Sequence, residues 1–69
     1  MDDIQILKYC ELLSNRIVAM YSVSKEMADK IVEQSVIHDL IREIPEYVDH
    51  IPLSVWAREI FYEFRMNAK

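Results

Sequence analysis

The 69-residue chain has no glycine, is 52% apolar, and carries 12 acidic against 8 basic residues for a net charge of −4. About five glycines are expected at ordinary usage, and their absence removes the easy positive-φ residue of tight hairpins and phosphate-binding loops. One small domain is all this length allows, and an acidic chain without a basic stripe is poorly suited to nucleic acid, where affinity comes from neutralising phosphates.

Residues 3–21 read as the first helix. At 100° per residue, Ile6, Tyr9, Cys10, Leu13, Ile17, Met20 and Tyr21 share one face, with Gln5, Lys8, Glu11 and Asn15 away from it. That spacing is helical and not alternating. Asp2 and Asp3 suit the positive end of the helix dipole. Ile4, Leu7 and Val18 lie beyond the principal face and give this helix a second apolar side.

Cys10 is the only cysteine. On an apolar stripe it reads as a buried thiol in a reducing compartment, in preference to a redox or metal role. The Met-Asp-Asp opening lacks the basic region of a signal peptide. No apolar run approaches the roughly 18 residues of a membrane span. The expectation is a cytoplasmic protein with no membrane partner.

Tyr21-Ser22-Val23-Ser24 breaks the first pattern. Ser24 then reads as the N-cap of a second helix over 24–35, with Glu26 in its first turn. Met27, Ala28, Ile31, Val32 and Ser35 line its core face. The next apolar residues, Ile37, Leu40, Ile41 and Ile44, would sit about 150° away on a continuous helix. A break near Ser35–Val36 resolves this, with a short helix over 36–44 that Ser35 caps and Asp39 supports.

Pro45 ends that segment, because the residue before proline avoids the helical region. Residues 45–50 read as a single turn with Pro45 at its first position. Pro52 introduces the last helix, over 53–66, with Leu53, Trp56, Ala57, Ile60, Phe61 and Phe64 on its main face. Residues 67–69 read as a frayed tail.

On the far side of the last helix, about 180° from the Trp56–Ile60–Phe64 stripe, stand Val55, Tyr62 and Met66, with Arg58 and Glu59 beside them. A helix apolar on two sides is either central to a bundle or touches another chain, and in so small a bundle not every helix can be central. Val55, Tyr62 and Met66, joined by Ile4, Leu7 and Val18, are therefore the candidate partner-binding residues. The competing reading is ordinary scatter of Tyr and Met on a surface.

Chemistry is thinly represented. Cys10 with His38 or His50 lacks any turn that would expose the thiol. His38-Asp39 and Asp49-His50 are adjacent pairs whose side chains diverge along a helix. A joint zinc site needs the Pro45 loop to fold back, and the Cys/His spacings of structural zinc sites are missing. His50 reads instead as helping to cap the turn before Pro52, and Glu43, Glu46, Glu59 and Glu63 as a solvated acidic surface. Neither catalysis nor a cofactor nor a metal is expected. Trp56 reads as core, with an interface hot spot as its functional alternative.

Residues 21–28 (YSVSKEMA) and 32–41 (VEQSVIHDLI) carry a resemblance that extends over about residues 20–60. The chain resembles small helical bacterial proteins of uncharacterised families, some encoded in toxin–antitoxin-like operons. That resemblance implies a protein-binding role and supplies no catalytic residues. The expectation is an all-α bundle of three main helices plus one short one. It serves as a protein–protein interaction module, either a homo-oligomer or the regulatory, antitoxin-like partner of another protein. A DNA-binding helix-turn-helix regulator is the alternative, and only Arg58 and Arg65 recur on one helix face to support it.

Overall fold

Side-chain caps open the first two helices, and a proline stands at or just before the start of the last two. In the computed structural model, which describes residues 2–67, the first helix, α1, spans Asp3–Tyr21. Asp2 closes a capping box there: its side chain accepts from the Gln5 N–H at 2.9 Å, and Gln5 Oε1 accepts from the Asp2 N–H at 3.3 Å. The helix stops at Ser22, which takes the left-handed conformation (φ 56°) and donates its N–H to the Val18 carbonyl. Glycine usually fills this position because it has no Cβ to clash. In a chain without glycine, serine carries it.

Ser24 caps α2 (Lys25–Gln34), its hydroxyl accepting from the Met27 N–H at 3.1 Å. The break falls at Ser35–Val36, and α3 runs Ile37–Glu43. Ser35 does not cap α3, however. It is extended, and its hydroxyl donates back to the Val32 carbonyl at 2.7 Å, joining its own backbone N–H at 3.2 Å on the same acceptor. The break lets Ile31 and Val32 of α2 and Ile37 and Ile41 of α3 enter one core.

Residues 45–50 form a helix in their own right, α4 (Pro45–His50), with Pro45 at the start where its missing N–H is harmless. Ile51, not His50, closes it by donating to the Val48 carbonyl at 3.4 Å. The Pro52 carbonyl accepts from Val55 and Trp56 and opens α5 (Leu53–Asn67). Asn67 is helical, and Ala68 and Lys69 of the expected frayed tail lie outside the described residues. The described residues thus form five helices and no strand.

α1 packs most extensively against α2 and α5. It runs antiparallel to α2, where Ser14 meets Asp29 and Cys10 shares a cavity wall with Val32. It runs alongside α5 in the same sense. Tyr9 and Asp49, just before α5, line one surface hollow, and Tyr21 stacks on Phe61 with ring centroids 3.8 Å apart. Leu13 and Ile17 of α1, Ile31 of α2, Ile37 and Ile41 of α3, Val48 of α4 and Ile60 of α5 are fully buried between them. Met20, Met27 and Ile44, expected in the core, stand exposed at or near element ends.

Ser14, unremarked in the apolar pattern, is buried. Its hydroxyl donates to Asp29 Oδ1 at 2.5 Å. Lys25 Nζ donates to the same oxygen at 2.9 Å and pairs with Glu11 at 3.0 Å. The Ser14 hydrogen bond, then Lys25, holds the Asp29 carboxyl below its ordinary value. Burial works against the Lys25 ammonium, but hydrogen bonds to Asp29 and Glu11 outweigh it and raise its pKa. This network fixes the α1–α2 crossing from the solvent side.

Candidate protein-interaction surface

The outward face of α5 is built on a helical ladder. Val55, Glu59, Tyr62 and Met66 recur at i, i+4, i+7 and i+11, so they stand one above another along the helix. Tyr62 is 64% exposed and Met66 60%, high values for large apolar side chains. Val55 is half-buried at the other end of the row.

This row is one wall of an open groove of about 610 Å³. The opposite wall comes from Tyr47 and Ile51 of the α4 region and from Val36 at the α2–α3 break. Trp56 and Ile60 form the floor. Trp56 is held there by two contacts. Its indole N–H donates to the Val48 carbonyl at 2.9 Å, and the Tyr47 ring meets it edge-on at 6.1 Å between centroids. The indole is thus core and groove floor at once, with its polar edge satisfied. Glu59 and Glu63 are the charged residues among the described lining.

Val55, Tyr62 and Met66 are therefore brought together as the spacing predicts. Ile4, Leu7 and Val18 do not join them. Ile4 (65% exposed) and Leu7 (70% exposed) stand on the N-terminal half of α1. Leu7 forms a shallow apolar patch with Leu12, crossed by Lys8 and Glu11. Val18 is no part of any free surface: it is half-buried and packed against the core, one turn before the Ser22 bend. Leu12, Val36 and Tyr47 are exposed apolar residues that the sequence reading did not place at a surface site.

A second cavity of about 560 Å³ lies between α1, α2 and α3, and it shares no lining residue with the α5 groove. Ile6, Leu7 and Val32 give its apolar part, and Cys10, His38 and Arg42 face it together with acidic residues of α1 and α2. Burial pushes the Cys10 thiol up, with Arg42 opposing, so the thiolate needed for nucleophilic chemistry is disfavoured. The adjacent Tyr9 hydroxyl is buried without a hydrogen-bond partner. Burial first, then the charges of Asp49 and Cys10, push its pKa up to about 12.

His38 faces this cavity, while Asp49 lines the separate hollow beside Tyr9. Among the described residues no group of three or more His, Cys, Asp or Glu side chains is placed to hold a metal ion. No helix among them is long and apolar enough to cross a membrane. Comparison with protein-family models, curated proteins and solved structures finds no match to this chain.

Proposed function

We propose that the protein is a small helical protein–protein interaction module, working through the outward face of α5, as a self-associating unit or as the regulatory, antitoxin-like partner of another protein. One observation carries this reading. Tyr62 and Met66 stand exposed beside Tyr47 and Val36 around a concave groove whose floor is Trp56. Exposed apolar side chains scattered singly need no explanation, but several of them around one concavity, backed by a rigid aromatic, have the composition of binding hot spots. A DNA-binding reading draws no support from this face, because Glu59 and Glu63 border it and acidic groups repel phosphate.

Light scattering across a wide concentration range, together with purification of a tagged chain and its Tyr62→Glu variant, tests the proposal. Either a concentration-dependent mass or a co-purifying protein is expected, and Tyr62→Glu abolishes it while leaving the melting temperature in place. A monomer at all concentrations, with co-purifying proteins unchanged by Tyr62→Glu, contradicts it.

A further inference from the structure

From the charge and shape of the α5 groove we infer its occupant: an amphipathic helix of another protein, with an apolar ridge flanked by Lys or Arg. The inference rests on the interaction reading above and goes further by naming the chemistry of the partner.

Shape is the first argument. The row from Val55 to Met66 rises about 16 Å, the length of three helical turns. The facing wall stands on two different elements, Tyr47 on α4 and Val36 at the α2–α3 break. A groove walled by a helix on one side and by two supports on the other accepts a helix laid along it, with anchors at i, i+4 and i+7. Trp56 offers such anchors a flat apolar floor, and its own N–H is already bonded to Val48, so it asks nothing polar of the ligand.

Charge is the second argument, and it selects the flank. The charged residues among the described lining are both acidic, Glu59 and Glu63, one turn apart, and at 100° per residue they fall between the Tyr62–Met66 row and the Trp56–Ile60 floor. A helix lying there meets two carboxylates along the α5 wall, and basic side chains facing that wall complete them. Complementarity of this kind sets partner choice more than affinity. A second copy of the chain fits less well. A two-fold contact of groove on groove brings Glu59 and Glu63 against their own equivalents, since such an interface pairs a patch with itself. A second exposed apolar patch, around Leu7 and Leu12, carries Glu11 beside Lys8 and so presents no uniformly basic flank.

The molecule supplies its own reporter, because Trp56 is the only tryptophan and lies under the ligand. Three stapled helical peptides with the same Leu anchors at i, i+4, i+7 and i+11, flanked by Lys/Arg, by Gln or by Glu, are titrated against the full chain while Trp56 emission is followed. The basic peptide is expected to bind tightest and the acidic one weakest. Raising salt to about 0.5 M closes most of the gap by screening. Glu59→Lys/Glu63→Lys is expected to reverse the order, weakening the basic peptide roughly tenfold and strengthening the acidic one. Tyr62→Glu abolishes binding of all three.

Equal binding of the three peptides overturns the charge assignment. So does binding of the basic peptide that the double charge reversal leaves unchanged. If no peptide binds, yet the chain self-associates and Tyr62→Glu prevents it, the occupant is a second copy: the basic helix is overturned and the interaction surface stands. If no peptide binds and Tyr62→Glu changes nothing, both readings fall.

Discussion

The outer faces of α1 and α5 expose apolar side chains to a similar degree, yet they are different surfaces. On α5, Tyr62 and Met66 face a second wall across a groove, over an indole clamped by the Val48 carbonyl and the Tyr47 ring. On α1, Leu7 and Leu12 sit on a shallow patch interrupted by Lys8 and Glu11, with no facing element among its lining. Exposure alone therefore does not define a docking site. What distinguishes α5 is the backing that α4 and the α2–α3 break provide, which turns a ridge into a concavity.

If that backing matters, removing the α5 floor should have the largest effect. Trp56→Ala deletes a buried ring and its hydrogen bond to the Val48 carbonyl, and it is expected to cost about 3–5 kcal/mol in urea unfolding followed by circular dichroism. In a domain of this size such a loss leaves little folded protein. A loss below 1 kcal/mol would mean that the indole is not the support described. Trp56→Phe, which keeps most of the packing, should cost about 1 kcal/mol for the lost hydrogen bond, because the Val48 carbonyl still accepts from Ile51.

On the α1 side the smaller effects are polar. Ser14→Ala removes the donor to Asp29 and should cost about 1 kcal/mol. The Asp29 carboxyl titrates below its unfolded value, so its contribution is present above the ordinary carboxylate range and is lost as pH falls below about 4. Ser14→Ala should flatten that acid limb, measured as melting temperature against pH. Were the limb identical in the variant, the Ser14–Asp29 contact would be immaterial to stability.

Tyr9 has the opposite sign. Its folded pKa, about 12, lies above the ordinary value of 10.0. Its share of stability is therefore full below pH 10.0 and is lost as pH rises towards about 12. Tyr9→Phe deletes a hydroxyl buried without a partner. It should leave the protein as stable or more stable, by up to about 1 kcal/mol, and remove part of the alkaline slope. Destabilisation beyond that would reveal a hydrogen bond at this site.

The smallest stability changes, and the sharpest contrast, come from the two outer faces themselves. Tyr62→Glu and Leu7→Glu replace exposed side chains and should each alter unfolding free energy by less than about 0.5 kcal/mol. Only Tyr62→Glu should disturb association. Equal effects on association would erase the distinction between the faces.

Much of this molecule is legible in its sequence, because a glycine-free chain with helical apolar spacing has few alternatives. The phase shift between Val32 and Ile37 located the α2–α3 break, and the ladder Val55–Tyr62–Met66 identified one wall of the groove. The rest depends on contacts between distant residues. Tyr47 and Val36 face α5 across the groove through tertiary packing, with Val48 accepting from Trp56 eight residues away, and local spacing carries no trace of that bond. Ser14 is buried because Asp29 reaches it from the next helix. Ser35 caps backwards, not forwards: its N–H and its hydroxyl both donate to the Val32 carbonyl. Val18 shares an angular position with Leu7, yet Val18 packs against the core and Leu7 stays exposed.

Amide shift mapping of the 15N-labelled chain, titrated with the basic stapled helix, tests the central claim most directly. The account predicts changes at Val36, Tyr47, the Trp56 indole N–H, Tyr62 and Met66, with Leu7 and Leu12 still. Changes centred on Leu7 and Leu12, or changes absent from the α5 groove, would contradict it.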